Sequence, residues 1–258
     1  MKKIDKAKQL GSHDKVNMLR SSNSLTEYKY LVFFSMFYMS IMICNAVLTN
    51  RYISLSKDIF VLGGTLTSPL IFILGDIIAE IFGYKVAKQI IWCGFTCQAI
   101  FAIICGLVAR APYPVFFKDY HAYSFVFSQL LYIVMSSFIA FIVSGLINIH
   151  FITRWKILWQ GRYFWLRSLG SSTIAEALYS AIAILMMEIG SIPLANIWKV
   201  ILISYFIKVI YSIIFAMPGN LIVNYIKSAT KIDVYDYPAN YNPFKQEHKN
   251  DQLRTEIV

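Results

Sequence analysis

The chain has 258 residues, of which 57% are hydrophobic and only 15% are charged, and its mean hydropathy is +0.56. Soluble domains carry about 25% charged residues, so this composition excludes an ordinary soluble domain and predicts an integral membrane protein. The net charge of +10 does not indicate nucleic-acid binding, because the basic residues fall between apolar runs and form no single cluster.

Apolar runs of about 20 residues recur along the chain, and each is long enough to cross a hydrocarbon core of roughly 30 Å. Because these runs are continuously apolar and do not alternate, they predict helices and not barrel strands. The expected fold is an all-α integral membrane protein, a compact bundle of six transmembrane helices at about 30–49, 59–82, 87–109, 124–149, 169–190 and 197–226. A polar N-terminal tail (1–28) and a C-terminal tail (227–258) flank the transmembrane domain (29–226).

Lysine and arginine predict the orientation of this bundle. Eighteen of them fall in the two tails and in the loops between spans two and three and between spans four and five, against five in the remaining loops. Cytoplasmic loops carry the excess of basic residues. The bias, with an even number of spans, predicts a multi-pass protein of the inner cell membrane with both termini in the cytoplasm.

The second span is interrupted near its start. The stretch "VLGGTLTSP" places Gly63, Gly64 and Pro69 in its first half, and proline disfavours helical geometry at the residue before it. We expect a broken or re-entrant segment from about 59 to 68 and a true helix from Pro69. Irregular backbone at membrane depth is tolerated where protein or a water-filled cavity covers it, so the break indicates a cavity.

Two acids follow this break, in "SPLIFILGDIIAEIFGYKVAK". Asp76 and Glu80 are four residues apart and therefore share one helix face. A charge near the bilayer centre costs at least ~2.5–3.5 kcal/mol, so such residues usually face a cavity or a partner. The alternative is a helix end whose acids reach the cytoplasmic interface.

The fifth span carries a polar stripe in "RSLGSSTIAEALYSAIA", where Ser172, Glu176 and Tyr179 fall on one face. Such a stripe is either a set of interhelical hydrogen bonds or the wall of a binding site, and Glu176 favours the wall because an acid is costly to bury. Asn45, in the first span, is a further candidate contact.

Lys208, in "ISYFIKVIYSIIFAMP", is the only basic residue deep inside a predicted span, and it lies too far from either end for easy snorkelling. It predicts either a structural salt bridge to Asp76 or Glu176 or a network that responds to ligand or protons. The two interpretations overlap, because a structural pair can also line a pocket.

The sequence contains no motif for ATP hydrolysis or for the common hydrolases and dinucleotide enzymes. The chain is therefore not expected to be an enzyme, and its energy source must be a gradient or a separate partner. The cysteines lie in apolar segments without a nearby histidine, so we expect buried structural thiols and neither a metal nor a cofactor; they are Cys44, Cys93, Cys97 and Cys105.

Three stretches together resemble the queuosine precursor transporter family, also called the vitamin uptake transporter family. They are "SPLIFILGDIIAEIFGYKVAKQIIW", "FWLRSLGSST" and "YFIKVIYSIIFAMP", and the likeness covers roughly 30–226. The resemblance implies a six-helix fold similar to the substrate-binding components of energy-coupling-factor vitamin transporters. It also implies import of a 7-deazaguanine such as preQ0 or preQ1.

By motif position, the resemblance carries family roles onto a set of polar residues: Asp76, Glu80, Arg167, Ser172, Thr173 and Lys208. The chain departs from the family at Asn148 and Ser180, where aspartate is often found. A guanine-like edge presents adjacent N–H donors that one carboxylate accepts in parallel, and its flat ring stacks on phenylalanine or tyrosine.

The leading hypothesis is a transporter that binds a small planar heterocycle between spans two, five and six. One alternative is a substrate-capture subunit that works only with a separate ATPase complex, for a vitamin-like ligand. Another is an intramembrane enzyme that uses Asp76 and Glu80 as acid and base, although the sequence offers it no nucleophile or metal ligands. The residues leave open whether the partners, besides substrate and lipid, include an energy-coupling subunit or further copies of the chain.

Overall fold

The computed structural model describes residues 12–56, 59–190, 192–230 and Val234. Much of both predicted tails, namely 1–11, 231–233 and 235–258, lies outside the described residues. The described elements are α1 (Ser12–Thr49), β1 (Tyr52–Ser56), β2 (Ile59–Leu62), α2 (Ser68–Ala109), α3 (Tyr120–Ser128), α4 (Leu130–Leu158), α5 (Phe164–Glu188) and α6 (Leu194–Thr230). A single 3-10 turn, Gly63–Leu66, connects β2 to α2.

Within the described residues, five helical stretches are long and apolar enough to cross a membrane. They are Glu27–Thr49, Gly63–Ala109, Tyr120–Leu158, Phe164–Glu188 and Asn196–Thr230. The predicted all-α integral membrane bundle is therefore confirmed, and the chain is a multi-pass membrane protein.

The second of these stretches accounts for two of the six predicted spans. Helix α2 has 42 residues, and at 1.5 Å per residue it is about 63 Å long, roughly twice a hydrocarbon core. Gly83 interrupts it with φ 86° and ψ 170°, a conformation that residues with a Cβ rarely adopt. The loop predicted between spans two and three is thus a sharp break at one glycine.

The structure adds detail at two predicted boundaries. The helix that contains the first span begins at Ser12, whereas its membrane-crossing stretch, Glu27–Thr49, agrees with the predicted span at 30–49. The helix of the second span begins at Ser68, next to the predicted start at Pro69, because an antiparallel hairpin occupies the preceding segment, with Tyr52 opposite Leu62 and Ile53 opposite Val61. The predicted break before Pro69 is confirmed, and its form is the end of a β-hairpin and a 3-10 turn.

The core lies where α2 packs against α1, α4 and α6, and where α5 packs against α4 and α6. Its centre is an aromatic cluster in which the Phe72 ring stacks on Phe141 at 5.3 Å and meets Tyr179 edge to face at 5.9 Å. Apolar burial alone does little to hold helices together in lipid, so close packing and interhelical hydrogen bonds must do so.

Glycine lets the 3-10 turn approach the end of α1. A Cβ on Gly63 would lie 2.5 Å from the backbone oxygen of Leu48, closer than real Cβ contacts. We therefore expect Gly63→Ala to lower the thermal stability of the purified protein, measured by melting in detergent. Gly75→Ala is the matched control, because a Cβ there meets no atom within 4 Å and alanine gains helix propensity. Equal melting temperatures for the two variants would contradict the close approach.

Candidate functional site

Buried polar side chains form a column along the bundle, from the end that carries the β1–β2 hairpin to the end at which Gly83 breaks α2. We call these the hairpin end and the Gly83 end. The column has three levels: Asn45 and Lys208 toward the hairpin end, Asp76 and Glu176 at the centre, and Glu80 toward the Gly83 end. All five residues are at most 3% exposed.

Asp76 accepts hydrogen bonds from three uncharged donors at the centre of the column. Asn148 Nδ2 on α4 donates to Oδ1 at 2.5 Å, and two serines of α5, Ser168 and Ser172, donate to Oδ2 at 2.5 and 3.0 Å. Neutral donors that converge on a carboxylate replace the water it has lost. Asp76 thereby joins α2, α4 and α5 at one point.

Glu176 is less completely bonded than Asp76. Ser212 of α6 donates to its Oε1 at 3.1 Å, whereas Oε2 has no hydrogen-bond partner among the described residues. Buried polar groups are hydrogen-bonded in the great majority of cases. The free oxygen of Glu176 therefore marks a place where a ligand or a proton can bind.

The Lys208 ammonium group lies beside Glu176 without touching it. Its Nζ donates to Ser180 Oγ at 2.9 Å and lies 4.6 Å from the centre of the Tyr179 ring. Glu176 and Lys208 interact through their charges, and no carboxylate of a described residue forms an ion pair with Lys208. The direct salt bridge to Asp76 or Glu176, one of the two interpretations of Lys208, is therefore not formed.

A small cavity adjoins this lysine. It has a volume of about 20 Å³, room for about one water molecule. Its lining includes Asn45, Tyr179 and Lys208, which the sequence selected, and Thr65 and Ser68, which it did not. Asn45 Oδ1 accepts a hydrogen bond from Thr67 Oγ1 at 2.7 Å, so the break before α2 is tied directly to the site.

A larger cavity of about 480 Å³ lies at the hairpin end. It shares three lining residues with the small cavity, namely Thr49, Leu62 and Met187. Its volume is in the range of small-molecule sites. A ligand that passes these three residues reaches Lys208 from the hairpin end.

The hairpin is fastened beside the large cavity. Tyr52 of β1 donates to Oε2 of Glu188, the last residue of α5, at 2.7 Å. Partial burial, and then the hydrogen bond to Glu188, raise the pKa of Tyr52, so its phenol stays protonated and able to donate.

The Gly83 end is closed by ion pairs around Glu80. Arg167 binds it with two parallel hydrogen bonds, Nη1 to Oε2 at 2.8 Å and Nη2 to Oε1 at 3.0 Å, and Lys227 Nζ donates to Oε1 at 2.6 Å. Lys156 Nζ donates to the Glu80 backbone oxygen at 2.6 Å. Four helices, α2, α4, α5 and α6, therefore meet at one carboxylate.

The structure brings the sequence-selected residues into two groups. Asp76, Ser172, Glu176, Tyr179, Lys208 and Asn45 line or adjoin the centre and the hairpin end, whereas Glu80 and Arg167 bind each other at the Gly83 end. Thr173 bonds its own helix, through Leu169 O at 2.7 Å, and has no part in either group.

Sequence reasoning missed several contributors. Lys156 and Lys227 were counted only for orientation, yet both reach Glu80. Ser212 was not singled out, although it lies four residues after Lys208, on the same helix face, and this spacing is a usable signal. Within the described part of the chain, no cluster of three or more metal-binding side chains occurs, and the four cysteines form no disulfide.

Comparison with known proteins identifies the family of the chain. A family model described as "putative vitamin uptake transporter" matches residues 62–223, more than half of the chain. This range holds Asp76, Glu80, Glu176 and Lys208. No curated protein and no solved structure matches the chain. With its membrane-spanning helices and this match, the chain belongs to the vitamin uptake transporter family.

Proposed function

We propose that this membrane transporter imports a queuosine precursor, a 7-deazaguanine such as preQ0 or preQ1, or a related small planar heterocycle. The observation that carries the proposal is the set of buried, unpartnered polar atoms beside aromatic rings. Among the described residues, Glu176 Oε2, Asn148 Oδ1 and Ser68 Oγ have no hydrogen-bond partner.

These atoms suit a heterocycle with several polar edge groups. A guanine-like edge presents two adjacent N–H donors, which a carboxylate such as Asp76 or Glu176 accepts in parallel. Tyr179 lines the small cavity beside Lys208 and offers an aromatic ring there. In this proposal Ser172 and Asn45 orient the ligand, Lys208 donates to it, and Glu80 with Arg167 holds the inner end closed.

The proposal includes a direction of travel. With both termini in the cytoplasm of the cell, as the distribution of lysine and arginine predicts, the hairpin end faces outward and the Gly83 end inward. Substrate then enters through the 480 Å³ cavity and passes Thr49, Leu62 and Met187. A bicyclic ligand is much larger than the 20 Å³ beside Lys208, so binding must separate the helices there.

Ligand binding gives the first test. Purified protein is melted with preQ0, preQ1, guanine, thiamine or biotin at matched concentrations. A ligand at 100 times its Kd stabilises the folded state by about 2.7 kcal/mol. We expect a rise in melting temperature with the deazaguanines, and a smaller rise with 7-deazahypoxanthine, which lacks the 2-amino donor. Stabilisation by a vitamin and by no deazaguanine would contradict the proposed substrate.

Transport by the protein alone gives the second test. We expect purified protein in liposomes to exchange external radiolabelled preQ0 for internal unlabelled preQ0, whereas protein-free liposomes do not. Binding without exchange would contradict a stand-alone carrier. That outcome would favour the alternative of a substrate-capture subunit that requires an ATPase complex.

A further inference from the structure

We propose that Glu176 takes up one proton with each substrate molecule, so that import is driven by an inward proton gradient. This inference rests on the proposed transport function and adds the coupling ion to it. It is carried by the charges of Asp76, Glu176 and Lys208, which we call the central chamber, and by the unequal bonding of the two carboxylates.

The chamber holds an uneven set of charged side chains. Among the described residues, Asp76, Glu176 and Lys208 carry charges that act on one another, and all three are almost fully buried. Arg167 binds both oxygens of Glu80, which Lys227 also binds, so Arg167 acts on Asp76 only through space and without a hydrogen bond. Two carboxylates face one ammonium group, and an uncompensated buried charge is costly. One added positive charge makes the chamber neutral.

The hydrogen bonds of the two carboxylates decide which of them takes up the proton. Both oxygens of Asp76 already accept hydrogen bonds, three in all from neutral donors, and such bonds favour the ionised form. Glu176 accepts one, from Ser212, and its Oε2 accepts none from a described residue. The ionised form of Glu176 is therefore the less stabilised of the two, and its Oε2 has both lone pairs free, so the proton binds there.

The groups that face Glu176 couple this proton to the substrate. Asp76 faces it from α2, Lys208 from α6, and Tyr179 lies one turn along its own helix, while α4 contributes at this level the neutral Asn148. In the empty chamber, Lys208 partly offsets the charge of Glu176. A ligand beside Lys208 binds that ammonium group and so weakens the attraction between Lys208 and Glu176. A proton on Glu176 then compensates the carboxylate charge in place of Lys208.

The step is balanced without any other reactant. A proton from the outer water binds Glu176 Oε2, and the resulting O–H donates to an acceptor of the substrate. Asp76 exchanges the hydroxyls of Ser168 and Ser172 for the N–H donors of the substrate. When the Gly83 end opens, the substrate and the proton leave together into the inner water. Glu176 is then again a carboxylate near Lys208.

The experiment uses preQ0, which carries no charge near neutral pH, in liposomes whose membrane potential is clamped to zero with potassium and valinomycin. A one-proton carrier raises the accumulation ratio about tenfold for each pH unit that the outside is more acidic. For Glu176→Gln we expect the same accumulation ratio with and without the gradient. Each variant is given a loading time that is matched to its own exchange rate. Glu176→Asp, which keeps a carboxyl group, should retain the dependence.

Proton movement is measured independently in the wild-type protein. External preQ0 should acidify the lumen of weakly buffered liposomes containing pyranine. No acidification, no gradient dependence in the wild type, or an unchanged dependence in Glu176→Gln would each overturn the inference. Homologous exchange without a gradient tests the proposed function separately: its absence would refute transport, whereas normal exchange without coupling would refute only the role of the proton.

Discussion

Asp76→Asn is expected to abolish uptake while the amount of folded protein in the membrane stays unchanged. Asparagine has nearly the shape of aspartate, and the serine hydroxyls around it can turn to accept as well as donate. Asn148 also has a free oxygen that can accept a bond from the new amide. The fold therefore tolerates the change, but the charged acceptor for the substrate is lost.

The expected loss can be put on a scale. Hydrogen bonds to a charged group contribute about 1.5–3 kcal/mol each, so weakening two of them raises Kd by about a hundredfold or more. Uptake into cells and binding to purified protein both measure this. Asp119→Asn, the same change at an exposed residue before α3, is the control and should transport normally. Normal uptake by Asp76→Asn would remove Asp76 from the binding site.

Arg167→Ala is expected to produce the largest loss of stability. It leaves Glu80 fully buried without its two parallel hydrogen bonds, and breaking a buried ion pair in this way costs about 3–5 kcal/mol. For a chain of this size the melting temperature should fall by roughly 10 °C. Melting of the purified protein and its abundance in the membrane measure the effect.

Two further variants separate the effect of breaking the ion pair from the effect of removing an arginine side chain. Arg110→Ala removes an exposed arginine at the end of α2 and should change the melting temperature little. Arg167→Ala combined with Glu80→Gln should recover part of the loss, since no unpaired carboxylate remains. The double variant could instead melt below Arg167→Ala by the whole decrease that Glu80→Gln causes on its own. In that case the two residues act independently, and the ion pair is not the source of stability.

The fold was largely predictable because hydrocarbon imposes a length on every crossing helix. The break before Pro69 was also predictable, because the backbone conformations that glycine and proline favour depend on the residue itself and not on distant contacts. The hairpin formed by β1 and β2 was not, because its strands are short and the apolar residues of β2 also suit the start of a membrane helix. The length of α2 was hidden for a similar reason: Gly83 turns the chain without the polar loop that normally separates two spans.

The acidic residues of the candidate site were predictable from the sequence, whereas the residues that bind them were predictable only in part. Asp76, Glu80 and Glu176 are conspicuous because charge in lipid is costly. Which cation meets which acid depends on helix packing, and no spacing rule connects Glu80 with Lys227, 147 residues away. Serines are common in membrane helices, so the sequence selected Ser172 as a candidate contact but did not identify Ser168 and Ser172 as donors to Asp76.

The junction at Glu80 also constrains how the protein is made. Its carboxylate is synthesised 87 residues before Arg167 and 147 before Lys227. At about 5–20 residues per second, a ribosome takes roughly 4–17 s to supply the arginine. During that interval the nascent helix carries an acid that lipid does not accept, so it must wait at the translocon or the headgroups. Biogenesis is thereby tied to completion of the last helix, and a prematurely stopped chain would present an unpaired acid to quality-control proteases.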